Sequence, residues 1–289
     1  MRNLKCVILF VAIEFLMTPI LNAQEAEWTP LLDDELSRWD VFIGVPHHTV
    51  KGLDEAPKGD GMEGTPLGLN KDPLQVFSMH QVDGEEVLHV SGEIYGGLTS
   101  KEIYENYHLK LEFKWGEKKW EPRLNDKRDN GLLYHCNGEQ GAFWNVWMES
   151  QEFQIQEGDM GDYFGLAGGV NTIRTRMNET GFYEYDPSGS PTRLGIGLEG
   201  KNMYRGVRRG NSEKPYGQWN TLELVCFNGQ SFHIVNGTVV MILDKAERRT
   251  EVGYEIVTRG KIQLQSEAAE AYYRNIEIRK ITELPKFLK

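Results

Sequence analysis

The run Glu152-Phe153-Gln154-Ile155-Gln156-Glu157 gathers two carboxyl groups and two amides within six residues. Side chains alternate faces along a strand. Read as a strand, this run sends Phe153 and Ile155 one way, and Glu152, Gln154 and Gln156 the other. A row of carboxylate and amides is costly when buried without partners. On an open concave sheet the same row can grip sugar hydroxyls and move a proton. An ordinary solvated face would carry similar residues, so further polar rows matter. Lys261, Gln263, Gln265 and Glu267 form one, opposite Ile262 and Leu264. Asp129-Asn130-Gly131-Leu132-Leu133-Tyr134-His135 offers another, in which strict alternation puts Asp129 and His135 on one side and Tyr134 on the other. Imidazole titrates near neutrality, so His135 is the histidine best placed for proton transfer. A single strand histidine can equally be an ordinary core residue.

The elements that must position these rows read as strands. Tyr107, Leu109, Leu111, Phe113 and Trp115 alternate with polar residues over one half-buried strand. Leu222, Leu224 and Cys226 repeat the pattern, and Ile276 and Ile278 mark the last strand. Two apolar runs flank Asn236-Gly237, a dipeptide suited to a type I′ turn because both central residues must reach positive φ. No long segment carries a 3.6-residue period. Many short strands with few helices predict an all-β sandwich or barrel. Residues 44–74, with His47-His48, and residues 186–217 are rich in Gly, Pro or Arg and read as long loops. Loops of that length are usually functional or mobile, so both are expected to wall a cleft.

The N-terminus has a basic start at Arg2 and Lys5. An apolar stretch from Cys6 to Leu21 comes next, and then small residues before Gln24. This is the pattern of a removed signal peptide over residues 1–23, and the stretch is short for a membrane span. The expected mature chain, 24–289, is a single domain, periplasmic or secreted, with no integral span. It keeps 30 basic and 42 acidic residues, a net charge of −12. An acidic surface repels phosphate backbones, which argues against nucleic acid as a partner. Neutral sugars are indifferent to it. Cys136 and Cys226 remain after cleavage. Export permits a bridge, but both lie among apolar strand neighbours, where free thiols are often simply buried. No CxxC or zinc spacing occurs.

Leu31-Leu32-Asp33 through Trp39, Tyr107–Phe113 and Asp129-Asn130-Gly131 resemble blocks of the 3-keto-disaccharide hydrolase family. Glu152-Phe153-Gln154-Ile155 is similar to its E-x-Q-I core, and Trp219-Asn220 to its W-N pair. Gly260 to Glu267 and Tyr273-Arg274-Asn275-Ile276 resemble its closing signature. The blocks stand in family order over nearly all of the mature chain. Asp129-Asn130-Gly131 replaces a frequent Asn-Ser-Gly, His135 a frequent Arg, and Ala268-Ala269 a frequent Gly. The resemblance implies a concanavalin-like jelly-roll sandwich of two antiparallel sheets with a concave cleft.

It also implies cleavage of a 3-keto-glycoside. A C3 ketone acidifies the C2 proton, a base removes it, the C1 oxygen leaves, and water adds to the enone. Such chemistry needs a base, an acid for the leaving group and a donor to the enolate oxygen. On this reading Glu152 and His135 are base and acid. Gln154, Gln265 and Arg274 hold the sugar or its enolate. Arg274 would need a local irregularity, because alternation puts it on the face of Ile276. Asp129, Glu157, Glu267 and Trp147 complete the expected substrate contacts. No redox cofactor is required. A divalent metal could be held by Asp129, His135 and Glu152, although no ligand spacing demands one. Two other functions fit the same residues. One is a retaining glycosidase using Glu152 and Glu157, which would need a bulge to share a face. The other is a sugar-binding module using Trp144 and Trp147 as platforms. Export is directly testable: mass spectrometry of protein from its native host should find a mature terminus near Gln24. An intact Met1 in a soluble fraction would refute it.

Overall fold

The structure, a computed structural model, describes residues 26–82 and 84–289. The expected signal segment, residues 1–23, lies outside the described residues. Alternation decides the architecture. Tyr107, Leu109, Leu111, Phe113 and Trp115, on the long strand Tyr107–Lys119, bury their side chains in the main core. They meet Leu132, Tyr134, Phe153, Ile155, Ile262 and Leu264 from strands of a facing sheet. One sheet therefore packs on the other through side chains of period two.

The back sheet runs in the spatial order Phe77–Val82, Glu85–Val90, Ala269–Lys280, Tyr107–Lys119, Asn220–Phe227, Gln230–Val235 and Thr238–Thr250. The front sheet runs Trp39–Ile43, Gly96–Ser100, Arg259–Ser266, Gly131–Asn137, Glu149–Gln154 and Tyr163–Leu166. Gly169–Met177 pairs with Thr238–Thr250 on one side and with Ser190–Leu194 and Tyr183–Tyr185 on the other, and Arg205–Val207 links Tyr183–Tyr185 to Tyr163–Leu166, so these strands join the sheets along one edge. The result is an open jelly-roll sandwich. Among the described residues the one helical element is a short 3-10 turn, Lys286–Leu288, and no helix is long and apolar enough to cross a membrane.

The Asn236-Gly237 turn forms as expected, with φ of 50° and 78°, and closes the hairpin of Gln230–Val235 and Thr238–Thr250. Cys136 and Cys226 are free and buried. The two loop expectations divide. Residues 44–74 do not wall the cleft on the front sheet. Val45, Val50 and Leu53 turn inward and are buried, so this stretch is tied down by apolar contact. Residues 186–217 do contribute to the cleft, but they are not all loop, since Ser190–Leu194 and Arg205–Val207 are strands.

Two bulges break strict alternation. Gln151 pairs with Tyr134 and Glu149 with Asn137, which leaves an extra residue at His135, where φ is 52°. Arg274 pairs with Glu112 and Glu277 with Lys110, which leaves another near Asn275, where φ is 51°. A bulge puts two residues opposite one and reverses the facing of the next residues along the strand. Phe153 tests the core most directly, because it is fully buried and stacks on His233 at 4.4 Å. Phe153→Ala should cost about 3–5 kcal/mol, read as a lower urea midpoint with an unchanged slope.

Candidate functional site

The outer face of the front sheet carries a cleft of about 300 Å³. Its floor comes from strands and its wall from loops. Glu152 and Gln154 project from Glu149–Gln154, and Gln156 lies just beyond its end. Phe153 and Ile155 point into the core. Gln265 and Glu267 come from the end of Arg259–Ser266, and Asp129 bridges to Glu267 across the floor. Gly131 lies beneath them. A Cβ placed there would sit 2.3 Å from the Gln265 amide oxygen and 2.4 Å from a Glu152 carboxylate oxygen. Only glycine lets these two side chains converge over the strand.

Arg123 organises the charges. Its Nη2 lies 2.5 Å from Asp129 Oδ2 and its Nη1 lies 2.9 Å from Glu267 Oε1. Gln156 Nε2 donates to the same Asp129 oxygen at 2.5 Å, and the Asn130 amide donates to Oδ1 at 3.0 Å. Glu152 has no salt bridge to this guanidinium. The three carboxyl groups are 3–5% exposed. Burial pushes the Asp129 carboxyl up to about 6, against the pull of Arg123. Burial, with Asp129 nearby, raises Glu152 and Glu267 well above the ordinary carboxylate range. Three acids around one guanidinium cannot all ionise cheaply, so protons are held in the floor near neutral pH.

The wall is apolar. Phe143, Trp144, Trp147, Phe164, Leu166, Ile196 and Tyr204 line it. Phe143 stacks on Trp144 with centroids 4.7 Å apart. Trp144 and Tyr204 are about two-fifths exposed at the mouth. Trp147 is buried, and its indole N–H donates to the Gly96 carbonyl at 2.9 Å.

The structure thus brings together Asp129, Glu152, Gln154, Gln265, Glu267 and Trp147. It does not bring His135, Arg274 or Glu157 to them. His135 is buried at the bulge, edge-on to Tyr134 at 5.1 Å, with neither ring nitrogen hydrogen-bonded. Burial lowers its pKa to about 4, so the ring is neutral. Strict alternation from Asp129 fails there because of the extra residue. Arg274 meets the irregularity it needed, but the turn sends it to the outer face of the back sheet. There it pairs with Glu112 at 2.7 Å and lies over Trp219 at 4.2 Å. Glu157 sits past the strand end, paired with Arg128 at 3.3 Å. The trio expected to hold a metal is split in the same way. Asp129 and Glu152 line the cleft, His135 does not, and the cation beside the acids is the Arg123 guanidinium. Among the described residues no group of three or more His, Cys, Asp or Glu is arranged to hold a metal ion. Gln263 is also diverted. It crosses Gly97 to bond Thr99 and Gln140, which ties the 138–148 loop to the sheet.

Local sequence pattern does not single out Arg123, Phe143, Phe164, Ile196 or Tyr204. Arg123 lies in a turn after a long strand, where nothing in its neighbours marks it. The Gly-rich stretch around Ile196 and Tyr204 is a signal for the wall, but not for which residues form it.

The fold is thus a jelly-roll sandwich whose front face carries an acidic, amide-lined floor and an aromatic wall. The chain belongs to the family described as the 3-keto-alpha-glucoside-1,2-lyase-like domain, which it matches over residues 27–279. No curated protein matches it. Among solved structures it is similar to a candidate glycosyl hydrolase from Parabacteroides distasonis ATCC 8503. That pair shares 18% identity over 88% of this chain and 100% of that one, with a TM-score of 0.46. A second candidate glycosyl hydrolase of that organism shares 20% identity over 70% and 83%, with a TM-score of 0.41. The carbohydrate-binding module CBM66 from Bacillus subtilis shares 7% identity over 71% and 92%, with a TM-score of 0.42.

The raised acids have a signature in stability. The folded pKa of Asp129 lies above its ordinary value of 3.8, so the folded state binds more protons than the unfolded one in between. Its contribution is fullest below 3.8 and is lost as pH rises through about 6. Each unit of displacement is worth about 1.4 kcal/mol. Asp129→Asn should flatten the fall in urea midpoint across that window relative to the unsubstituted protein. Parallel pH curves for the two proteins would contradict the assignment.

Proposed function

We propose that this protein cleaves 3-keto-glycosides by proton abstraction at C2, elimination of the C1 substituent, and addition of water. One observation carries the reading: Glu152, outside the Arg123 ion pairs, shares a buried cleft floor with Asp129, whose carboxyl is pushed to about 6. Two neighbouring acids in unlike surroundings, one ion-paired and one not, suit a base and an acid working together. Asp129 is ionised above about pH 6 and keeps acceptor capacity beyond its three donors. It takes the C2 proton. The C–H electrons pass to the C3 ketone as an enolate, and their return forms the C1–C2 double bond as the C1–oxygen bond breaks. Glu152, kept protonated by burial, gives its proton to the departing oxygen. Water then adds hydroxide to C1 while a proton returns to C2, with the two roles reversed. Gln154, Gln156 and Gln265 offer amides to sugar hydroxyls and to the enolate oxygen. The ketone comes from a separate oxidation, and these residues require no redox cofactor. The substrate is a small carbohydrate, and the basic-then-apolar N-terminus favours a periplasmic or secreted setting.

The two-carboxylate glycosidase is less well supported, because Glu157 is held by Arg128 away from the floor. Matched glycosides with and without the 3-keto group decide the matter. The 3-keto forms should be cleaved and their parents left intact. Glu152→Gln should slow cleavage by roughly 10²–10⁴ yet still exchange the C2 hydrogen with deuterated water. Asp129→Asn should abolish both. Equal cleavage of the parent glycosides without C2 exchange would overturn the mechanism, and binding without cleavage of either would indicate a sugar-binding module.

A further inference from the structure

Asp162 has a fully buried carboxylate that does not line the cleft. Its Oδ1 accepts from the Arg208 amide at 2.9 Å and from Arg208 Nη1 at 3.0 Å. Its Oδ2 accepts from Arg205 Nε at 2.6 Å and also from Arg205 Nη2. Asp159 adds a second carboxylate, 3.2 Å from Arg205 and 3.5 Å from Arg208. The backbone of Asp162 faces the other way. Its carbonyl accepts from the amide of Gln154 at 3.0 Å, and the Gly161 amide donates to the Gln154 carbonyl at 2.8 Å. One buried residue therefore touches the floor through its main chain and the segment behind the wall through its side chain.

That segment carries the wall. Arg205 directly follows Tyr204, and its guanidinium lies over the Phe164 ring at 5.8 Å. Phe164 and Tyr204 both line the cleft, with ring centroids 6.1 Å apart. Phe164 is paired with Glu152 on one side, and Gly206 and Val207 with Tyr183 and Glu184, but the ladder that joins the two strands is brief: Tyr163 with Gly206, and Phe164 with Arg205. Before it, the Gly195 amide donates to the Met203 carbonyl at 2.8 Å and the Ile196 amide to the Gly165 carbonyl at 3.0 Å. So short a ladder needs reinforcement, and charge-assisted arginine–carboxylate hydrogen bonds to both oxygens of Asp162 supply direction as well as energy.

We propose that Asp162 is a positioning residue that fixes the Phe164–Tyr204 wall against the acidic floor, and so sets which leaving groups the cleft accepts. The second half rests on cleavage of 3-keto-glycosides as the function. Asp162→Asn keeps the size of the side chain and removes its charge, while Arg205→Lys keeps the charge and loses the planar fork. In either variant the amides of Arg205 and Gly206 should exchange with deuterated water about tenfold faster or more, as expected when a local unit opens more easily. The core amide of Phe153 should be unaffected. With 3-keto-glycosides, kcat/KM should fall by up to about 10²-fold, the scale of a small misplacement far from the chemistry. The loss should sit in KM and narrow the preference between bulky and small leaving groups, with Arg205→Lys intermediate.

Unchanged exchange at Arg205 and Gly206 would overturn the clamp. A loss confined to kcat, with leaving-group preference intact, would overturn the specificity role. Should Asp162→Asn fail to fold, Arg205→Lys carries the same readouts. Should the unsubstituted protein cleave no 3-keto-glycoside, the functional reading fails by itself, and the clamp stands or falls on exchange alone.

Discussion

The floor of the cleft depends on one guanidinium. Arg123 faces Asp129 and Glu267 with separate nitrogens, and without it three acids would share a dry space with no cation. Removing one partner of a buried pair typically costs about 3–5 kcal/mol, because the other charge stays uncompensated. Asp129 sits at a hydrogen-bonded corner, where burial raises it to about 6 against the pull of Arg123. Burial also raises Glu152, which lacks that pairing, and Glu267, which has it. A single cation, placed off centre, thus gives similar carboxyl groups unlike partners.

That arrangement requires close approach, which the strands provide. Glu152 and Gln265 meet over Gly131 from neighbouring strands, and Gln263 crosses Gly97 in the same manner. Side chains that lie flat across a sheet need a neighbour without a Cβ. The polar row is therefore a property of three strands together, and its glycines belong to the site as much as its acids do.

Much of this was legible in the sequence wherever alternation held. Glu152 and Gln154 face the cleft, with Phe153 in the core, because no bulge interrupts that run, and Ile155 and Gln156 keep the same facing just past the strand end. The Asn236-Gly237 hairpin and the core-facing row of Tyr107–Trp115 arise from equally local rules. His135 was misplaced because a single inserted residue, at φ 52°, changes which face comes next. Arg274 has its irregularity, near φ 51° at Asn275, but its strand lies in the back sheet, whose outer face is away from the cleft. Neither position is a glycine, so neither bulge announces itself. Glu157 failed differently, because the strand ends at Gln154 and alternation no longer applies. Arg123 and Tyr204 were invisible because their placement depends on contacts distant along the chain.

Floor and wall differ in how they are held, and that difference bears on what each can do. The floor sits on strands whose ladders continue on both sides, so its geometry is over-determined. Part of the aromatic wall, Phe164 and Leu166, rises from the front-sheet strand Tyr163–Leu166, while the rest sits on the 138–148 loop and on the segment before Arg205, each tied by a few polar contacts: Gln263 with Gln140 for one, Asp162 with Arg205 for the other. Rigid elements fix reacting groups best, whereas loops on a rigid scaffold tolerate change. Under the proposed function, proton transfer needs the first property and accommodation of varied leaving groups needs the second. In this sandwich the two demands fall on different parts of the chain, joined where the backbone of Asp162 meets Gln154. A change in the wall can therefore alter what is bound without disturbing the acids that would act on it.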